Sequence, residues 1–252
     1  MSGEFEIDWG KKPRTAEEER FLEGPKSRLY ELFWAIRIFW EFIRGLRRLH
    51  FIGPCVTVFG SARFKEGSTF YELGLETGRK LGLAGYSVMT GGGPGLMEAA
   101  NRGAKEVNAF TVGCNIELPV EQAPNPYLDL WITFRYFFVR KIMLTKYSLA
   151  FIALPGGFGT LDEVFQTATL VQTGKIKNFP LVFVGVDYWT PLFEFIKNQL
   201  AYHGAIDPAD MNRLFLTDSP EEAVKFIQNA TSPTRQKREE KKLRIKWYLW
   251  EK

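Results

Sequence analysis

The sequence predicts a Rossmann-like, doubly wound α/β fold, in which helices cover both faces of a parallel sheet. The first observation behind this prediction is that short apolar runs alternate with amphipathic helical patterns along most of the chain. The second is that two of the apolar runs end in glycine-rich turns, at residues 91–95 and 155–159, and lead into helical patterns. The third is size, because 252 residues, 45% of them hydrophobic, suit one large domain with a packed core.

The chain begins with a polar, acidic stretch, residues 1–24, which we expect to be mobile or loosely docked. Pro25 then opens a predicted helix over residues 25–50, where apolar residues recur at helical spacing among arginines. A helix of this kind can lie on a membrane surface. Two acidic residues interrupt its basic side, however, so the favoured interpretation is that it packs on the core or on a second subunit.

The Rossmann-like domain is predicted over residues 51–231. Gly53-Pro54 breaks the chain before the first strand, and Gly85 ends the first helix of the domain. A capping sequence at residues 219–222 begins the last helix, which should end near Ala230. The strands are expected at residues 55–59, 86–90, 109–113, 130–134, 151–154, 181–186 and 213–217. The intervening helices are expected at residues 69–84, 137–147 and 189–201, and after each glycine-rich turn.

A basic tail with aromatic residues is predicted over residues 232–252. Residues 235–252 carry a net charge of +5 and residues 26–50 carry +4, whereas the whole chain carries only +4, so the remaining residues carry −5. Basic character that is confined to the two ends does not make the domain a nucleic-acid surface, and we expect no nucleic-acid partner. The tail is expected to be solvated or docked on a subunit, and membrane contact by the basic ends is not expected.

The composition also argues against membrane-spanning, secreted and metal-binding classes. The chain has no run of about 20 uncharged apolar residues, and acidic residues precede any apolar run at its start, so we expect a cytoplasmic protein. Cys55 and Cys114 lie in apolar surroundings and are expected to be reduced core residues. Because His50 and His203 are far apart, the sequence predicts no metal site, and no cofactor is expected.

The two glycine-rich turns indicate a phosphate site. A turn that enters a helix presents unpaired backbone N–H groups at the positive end of the helix dipole, and glycine allows a ligand to approach closely. Both turns follow the carboxyl ends of strands, so they can share one crevice. The turn at residues 91–95 is neither a Walker A loop nor the dinucleotide fingerprint, because residue 96 is leucine where that pattern needs glycine.

Arg140, Lys141 and Glu163 are the candidates for chemistry. Arg140 lies 23 residues before Glu163, an interval that one helix and one buried strand can fill, so both can return to the same crevice. Two simpler interpretations stay open at this point. Thr160 and Glu163 could form a capping box that only satisfies the helix end, and Arg140 and Lys141 could belong to a solvated helix face.

Three ordered motifs resemble those of the Lonely Guy family, which is often labelled lysine decarboxylase-like. Residues 155–163, Pro-Gly-Gly-Phe-Gly-Thr-Leu-Asp-Glu, match its PGGxGTxxE motif. Residues 140–143, Arg-Lys-Ile-Met, match its second motif at the expected spacing, and residues 91–97 match its third. Residues 58–61 are similar to its first strand and turn. The likeness covers about residues 54–230.

The resemblance implies an enzymatic activity. Members of the family are phosphoribohydrolases, which cleave the N-glycosidic bond of a nucleoside 5′-monophosphate, such as AMP or a cytokinin ribotide, to free base and ribose 5-phosphate. The resemblance implies that Arg140 and Glu163 are the catalytic pair and that the protein is a homodimer or a larger homo-oligomer. The residues that it implies at the substrate are Ser61, Gly92, Gly93, Glu121, Lys141, Gly156, Gly157, Gly159 and Thr160.

One stretch departs from the family pattern. The plant-like form has a histidine and an acidic or amide residue just before the Arg-Lys pair, whereas residues 134–139 here are Phe-Arg-Tyr-Phe-Phe-Val. This aromatic lead-in predicts a different base pocket.

Three other functions are weighed on the sequence, and one of them is a protein that docks on a membrane or a partner through its basic ends. A nucleotide-binding or sensing protein without catalysis would use the same glycine turns. A pyridoxal phosphate-dependent decarboxylase is disfavoured, because Lys141 and Lys146 lack the motif context of a Schiff-base lysine.

Overall fold

The computed structural model describes residues 24–117, 123–177 and 179–240. The strands in these ranges are β1 (Cys55–Phe59), β2 (Ser87–Thr90), β3 (Thr111–Ile116), β4 (Leu130–Phe134), β5 (Ser148–Ala153), β6 (Leu181–Val184) and β7 (Leu214–Thr217). The α-helices are α1 (Arg28–Leu49), α2 (Thr69–Leu83), α3 (Leu96–Glu106), α4 (Phe137–Tyr147), α5 (Phe158–Gln172), α6 (Val186–Phe195) and α7 (Pro220–Glu240). A π-helical segment, Ile196–Ala201, and a 3₁₀ segment, Pro208–Arg213, precede β7.

The described strands form one parallel sheet with the order β4-β3-β2-β1-β5-β6-β7. The direction of winding reverses between β1 and β5, since β2 to β4 lie on one side of β1 and β5 to β7 on the other. The predicted doubly wound fold is therefore confirmed. In such a sheet, ligands bind beyond the carboxyl ends of the strands at the point of reversal.

Two apolar layers bury the faces of the sheet. Phe59 and Phe151 face the layer that is covered by α1, α4, α5 and α6, whereas Val58 and Ile152 face the layer under α2, α3 and α7. Neighbouring residues of one strand thus point into opposite layers, as the pleat of a strand requires. Burial on both faces explains why the strands read as continuous apolar runs in the sequence.

Several predicted bounds differ from the structure by a few residues. The third strand was expected to end at Gly113, but β3 continues to Ile116, where it pairs with Phe134 of β4. The polar Asn115 interrupts the apolar run, and only the pairing with β4 keeps this part of the chain extended. The prediction that the last helix ends near Ala230 is also wrong, because α7 runs through Pro233 to Glu240.

The extension of α7 has a tertiary cause. Arg235 donates a hydrogen bond from Nη1 to the carbonyl oxygen of Ala84 at 3.0 Å, and its guanidinium lies 4.8 Å from the centre of the Tyr86 ring. Thr231 forms a buried hydrogen bond with the Tyr86 hydroxyl at 3.2 Å. These contacts hold the helix on either side of Pro233, which removes one backbone donor and crowds the preceding turn. Residues 1–23 and 241–252, in which most of the predicted N-terminal segment and of the basic tail fall, lie outside the described residues.

Helices α2 and α3 approach each other through glycines. A Cβ atom at Gly78 would lie 1.9 Å from the carbonyl oxygen of Ala100, and one at Gly103 would lie 1.8 Å from the carbonyl oxygen of Leu75. We expect Gly78→Ala to lower the free energy of unfolding by about 3 kcal/mol, because the two backbones must separate. Chemical denaturation followed by circular dichroism measures the change.

The matched control is the same substitution, glycine to alanine, at a helix position where a Cβ atom meets no neighbouring atom. A Cβ atom at Gly159 in α5 would meet no atom within 4 Å, and this glycine is exposed. Gly159→Ala should therefore leave the free energy of unfolding unchanged or raise it by up to about 1 kcal/mol through helix propensity. Equal effects of the two substitutions would contradict the proposed close packing at Gly78.

Helix α1 packs against α4 by one side only. Gly45 lets the helix approach Phe134 and Met143, because a Cβ atom there would lie 3.0 to 3.1 Å from their side chains. The Tyr147 hydroxyl donates a hydrogen bond to the carbonyl oxygen of Leu46 at 2.9 Å. Within the described ranges, the structure contains no helix with the length and apolar character to cross a bilayer.

Candidate active site

Three loops meet at the point where the winding of the sheet reverses, and the backbone of Ser61 joins them. Its N–H group donates a hydrogen bond to the carbonyl oxygen of Pro155, after β5, at 3.0 Å. Its carbonyl oxygen accepts a hydrogen bond from the N–H group of Leu96, at the start of α3, also at 3.0 Å. The Ser61 hydroxyl accepts a hydrogen bond from the N–H group of Arg63 at 3.1 Å, so it stabilises the loop after β1.

The loop after β2 consists of three buried glycines, Gly91, Gly92 and Gly93. Gly92 has a φ of +75°, which favours glycine, and a Cβ atom there would lie 2.2 Å from the indole ring of Trp131. At Gly91, a Cβ atom would lie 3.2 Å from Nη2 of Arg140. The first glycine turn therefore lies next to one of the predicted catalytic residues, with no room for a side chain between them.

A buried network of polar side chains holds this turn. The Gly92 N–H group donates to the hydroxyl of Thr90 at 2.8 Å, and that hydroxyl donates to Oδ1 of Asn101 at 2.6 Å. The Asn125 amide Nδ2 donates to the Gly93 carbonyl oxygen at 3.2 Å and to Oδ1 of Asn101 at 3.1 Å. Such a network fixes the turn in one conformation, because each buried polar group has a partner.

Arg140 and Glu163 form the centre of the site. Arg140 Nη1 donates to Glu163 Oε1 at 3.0 Å, and Arg140 Nε donates to the carbonyl oxygen of Cys114 at 2.8 Å. The side chains are only 12% and 4% exposed. Arg140 thus contacts α5 through one nitrogen and β3 through a second, and its third nitrogen lies beside the Gly91 turn. The interpretation of Arg140 as part of a solvated helix face is wrong.

Burial raises the pKa of Glu163 above the ordinary value of 4.5, whereas the positive charges of Arg140 and Lys141 act in the opposite direction. The carboxylate is therefore poorly solvated, and the neighbouring positive charges, that of Arg140 above all, favour its ionised form. A buried carboxylate of this kind can respond to a positive charge that develops next to it.

Cys114 lies beside this pair but does not fit the role of a nucleophile. Burial raises the pKa of its thiol to about 12, although the Arg140 charge acts to lower it. A thiol with this pKa is protonated at neutral pH and unreactive. Cys114 contributes its backbone carbonyl oxygen instead, which orients Arg140.

Lys141 lies one residue further along α4 and forms an ion pair with Asp162. The distance from Nζ to Oδ2 is 2.7 Å, and the side chains are 16% and 52% exposed. The predicted substrate contact is thus next to the central pair but engaged with a neighbouring carboxylate. A phosphate or hydroxyl could bind the remaining N–H donors of the ammonium group.

The first turn of α5 begins with Gly157, and no side chain caps it. The capping-box interpretation is therefore wrong, since Glu163 turns to Arg140 and Thr160 packs over Gly156, where a Cβ atom would lie 2.1 Å from its hydroxyl oxygen. Gly157 and Gly159 are exposed, with no atom within 4 Å of a hypothetical Cβ. This helix end is thus open to an anion.

The structure brings together most of the residues singled out in the sequence. Neighbouring positions at the carboxyl ends of the strands are occupied by Ser61, the buried glycines, Arg140, Lys141, Glu163 and the first turn of α5. Glu121 falls outside the described residues, so its predicted role stays a prediction. Within the described ranges, no three histidine, cysteine, aspartate or glutamate side chains are arranged to hold a metal ion.

Supporting residues were missed by the sequence analysis. Trp131 covers Gly92, Asn101 holds the turn, and the Tyr188 hydroxyl donates to the carbonyl oxygen of Gly156 at 3.0 Å. Asn101 had a weak signal, since it is a polar residue directly after Ala99-Ala100 in an otherwise apolar helix face. Trp131 and Tyr188 had none, because an aromatic residue near a strand end is usually core.

Comparison with known proteins places this chain near one family of sequences. A family model described as possible lysine decarboxylase matches residues 97–227, which include α3 to α6 and the Arg140–Glu163 pair.

Curated relatives carry the name cytokinin riboside 5′-monophosphate phosphoribohydrolase. One from Rhodococcoides fascians is 29% identical over 178 residues, which are 69% of this chain and 89% of that protein. One from Mycobacterium tuberculosis is 32% identical over 61% of this chain and 83% of that protein. One from Oryza sativa is 31% identical over 60% of this chain, and the match spans 63% of its length, just under two thirds.

Solved structures share the fold at low sequence identity. The molybdenum cofactor carrier protein from Chlamydomonas reinhardtii superposes with a TM-score of 0.55 at 21% identity, over 71% of this chain and 99% of that one. The molybdenum cofactor binding protein from Rippkaea orientalis gives a TM-score of 0.52 at 23% identity, over 70% and 96%. These matches support the architecture alone.

Proposed function

The chain belongs to the Lonely Guy family, and on this premise we propose that it is a nucleoside 5′-monophosphate phosphoribohydrolase. The reaction is hydrolysis of the N-glycosidic bond of AMP or a cytokinin ribotide to free base and ribose 5-phosphate. One observation carries the proposal: the buried hydrogen bond between Arg140 and Glu163, beside the Gly91 turn. The names of the curated relatives support the same class of reaction.

Glu163 is proposed to act on the ribose. Cleavage of a glycosidic bond passes through a ribosyl cation with oxocarbenium character. A poorly solvated carboxylate stabilises such a cation more strongly than a solvated one, and it can orient or deprotonate the attacking water. The burial of Glu163, at 4% side-chain exposure, supports this role.

Arg140 is proposed to position Glu163 and to assist the departing base. Its bond to the Cys114 carbonyl fixes the guanidinium, and its bond to Glu163 fixes the carboxylate. The base leaves with the electron pair of the glycosidic bond, so a nearby cation or proton donor stabilises it. A rigid pair lowers the barrier because its dipoles need not reorganise during the reaction.

The 5′-phosphate is proposed to bind the first turn of α5. This end of the helix has no side-chain cap, and the space beside Gly157 and Gly159 is open. Binding at the phosphate, away from the reacting bond, holds the ribose near Glu163. Lys141, whose Nζ atom lies 2.7 Å from Asp162, is a further cation at this edge of the crevice.

The family model is described as possible lysine decarboxylase, so we compare Lys141 with the lysine that such an enzyme needs. A Schiff-base lysine needs a free amino group that can attack the cofactor. The Nζ atom of Lys141 is instead engaged with Asp162 at 2.7 Å. We therefore expect no release of carbon dioxide from lysine, with or without added pyridoxal phosphate.

The test is a panel of nucleoside monophosphates, including AMP, GMP, CMP and isopentenyladenosine monophosphate. Each is incubated with the protein, and released base is measured by chromatography. Release of base with formation of ribose 5-phosphate from at least one of them is expected. Tight binding without release of base would contradict the proposal and would favour a nucleotide sensor.

The acid side of the pH profile is expected to report Glu163. Because burial raises its pKa, kcat/KM should fall with decreasing pH around an apparent pKa above 4.5. The sign follows from the mechanism, which needs the ionised carboxylate, so activity is lost when the group is protonated. Rates measured at constant ionic strength from pH 4 to 8 check this. A kcat/KM that stays constant down to pH 4.5 would contradict the role of Glu163. Such rate measurements resolve a change of about one unit in the apparent pKa.

A second copy of the chain is proposed to cover the exposed apolar surface beside the site. Phe137, Phe138 and Ile142 of α4 are 42% to 52% exposed, and Phe158 of α5 is 92% exposed. Light scattering should give a mass of two chains or more. Ile142→Arg should lower that mass, because it puts a charge into the interface, whereas Phe195→Arg, at an equally exposed phenylalanine on α6, should not.

A further inference from the structure

Helix α1 has two apolar faces, and among residues 24–117, 123–177 and 179–240 only one of them packs against the rest of the fold. Ile38, Phe42 and Leu46 pack against the core, and Trp34 makes an edge-on contact with Tyr136 at 5.9 Å. The opposite face carries large apolar side chains that are 42% to 69% exposed. We call these residues the apolar stripe: Leu29, Leu32, Phe33, Ile36, Phe39 and Trp40.

The apolar stripe is continuous along the helix. At 100° per residue, its members fall within one 120° sector, and they cover about 16 Å of helix length. Half of them are aromatic. An apolar sector of this width on an exposed helix, with phenylalanine and tryptophan along it, has the form of a helix that lies in the plane of a bilayer interface.

Within residues 28–49, the charged side chains that border the apolar stripe are arginines. Arg37 and Arg44 follow one of its edges, and Arg47 continues its line towards the end of α1. The two acidic residues of the helix fall on the other side. Glu41 accepts a hydrogen bond from the backbone N–H group of Arg135, and Glu31 lies 3.7 Å from Arg28. The two acidic residues therefore do not interrupt the basic edge. The expectation from the sequence that they would interrupt it is wrong.

Charge decides between the possible occupants of this surface. A second copy that packed stripe against stripe would add only further arginines beside the apolar residues, because the same side chains border both stripes, and its stripe would bring no matching negative charge. A bilayer with anionic headgroups accepts the apolar side chains and the arginines at once, and each basic residue near such a surface contributes about 1 kcal/mol. We propose that the apolar stripe of α1 binds the surface of an anionic lipid bilayer.

Co-sedimentation of the full chain with vesicles tests this proposal. Vesicles of phosphatidylcholine that contain about one third phosphatidylglycerol should bind the protein, and vesicles of pure phosphatidylcholine should bind it at least about fivefold less. Raising the salt concentration to about 0.5 M should weaken the binding to the anionic vesicles. No sedimentation with anionic vesicles at low salt would overturn the proposal.

Substitutions assign the binding to the stripe. The double variant Phe33→Ser/Trp40→Ser should lower vesicle binding at least about tenfold, because two aromatic anchors are lost. Arg44→Gln should lower it about fivefold. Leu83→Ser is the matched control, since Leu83 is 66% exposed on α2 and lies outside the stripe. These side chains are exposed, so the variants should fold, which circular dichroism checks.

Two outcomes would overturn the proposal, because either another segment would bind the lipid or a second copy would cover the apolar stripe. If the Phe33→Ser/Trp40→Ser protein binds vesicles as well as the unchanged chain, another segment contacts the lipid and the proposal is wrong. If the double variant loses mass in light scattering and its vesicle binding is unchanged, a second copy covers the stripe and the proposal is likewise overturned. A loss of vesicle binding at unchanged mass supports it.

Discussion

Replacing Glu163 with glutamine is expected to lower kcat for release of adenine from AMP by about a thousandfold. The amide keeps the size of the side chain and can still accept the bond from Arg140 Nη1, which is 3.0 Å long in the native protein. It cannot carry the negative charge that stabilises a ribosyl cation. The phosphate contacts proposed at the first turn of α5 are unchanged, so KM should move much less than kcat. Chromatography of released adenine at saturating AMP measures the effect.

The control for this variant is Glu194→Gln, the same change at an exposed glutamate on α6. It should keep the native kcat. Circular dichroism and the midpoint of thermal unfolding establish that the Glu163→Gln protein is folded. A folded Glu163→Gln protein whose kcat stays within about threefold of native would exclude Glu163 from the chemical step.

Replacing Arg140 with alanine is expected to lower kcat by a similar factor and to move the acid side of the pH profile. The Arg140 charge counteracts the effect of burial on Glu163, so its removal raises the pKa of that carboxyl further. The midpoint of the acid limb should therefore shift to higher pH. Initial rates over the pH range, with each variant at saturating and at low AMP, give both quantities.

Arg140→Lys separates charge from geometry. Lysine keeps a positive charge, but it has a single nitrogen and cannot bond the Cys114 carbonyl oxygen and Glu163 in the fixed geometry of a guanidinium. We therefore expect kcat to fall about a hundredfold, with little shift in the midpoint of the acid limb. Arg213→Ala is the control, because Arg213 also donates to a backbone carbonyl, that of Val171 at 2.9 Å, but at the far end of α5. Native kcat and an unshifted limb in Arg140→Ala would contradict the proposed role.

The fold was predictable because its elements carry local signals. The helix at residues 137–147 was predicted with the bounds that α4 has, since apolar spacing and flanking strands define it on both sides. The glycine turns were equally clear, and their common crevice follows from the parallel sheet. Local signals failed where a distant contact decides the conformation, as for α7, which continues through Pro233 because Arg235 is anchored at Ala84.

The site was predictable in its residues and less so in their contacts. The local pattern of Thr160 and Glu163 allowed a cap, and only the fold shows that Arg140 takes the carboxylate instead. Asn101 and Trp131 support the Gly92 turn from other elements, so no spacing in the sequence connects them to it. Residues that support a site by holding a backbone loop can be identified from the folded structure but not from the sequence pattern.

The two bonds of Arg140 have a consequence for folding. The carbonyl oxygen of Cys114 belongs to β3, in one half of the sheet, whereas Glu163 lies on α5, which follows the first strand of the other half. One guanidinium thus bridges both halves, and the Arg140–Glu163 pair forms only when the two halves have come together. A nucleotide that binds only this assembled state would oppose unfolding of the domain as a unit, by mass action. Turnover is then also a reporter of cooperative folding, since no fragment that ends before α5 would contain the pair.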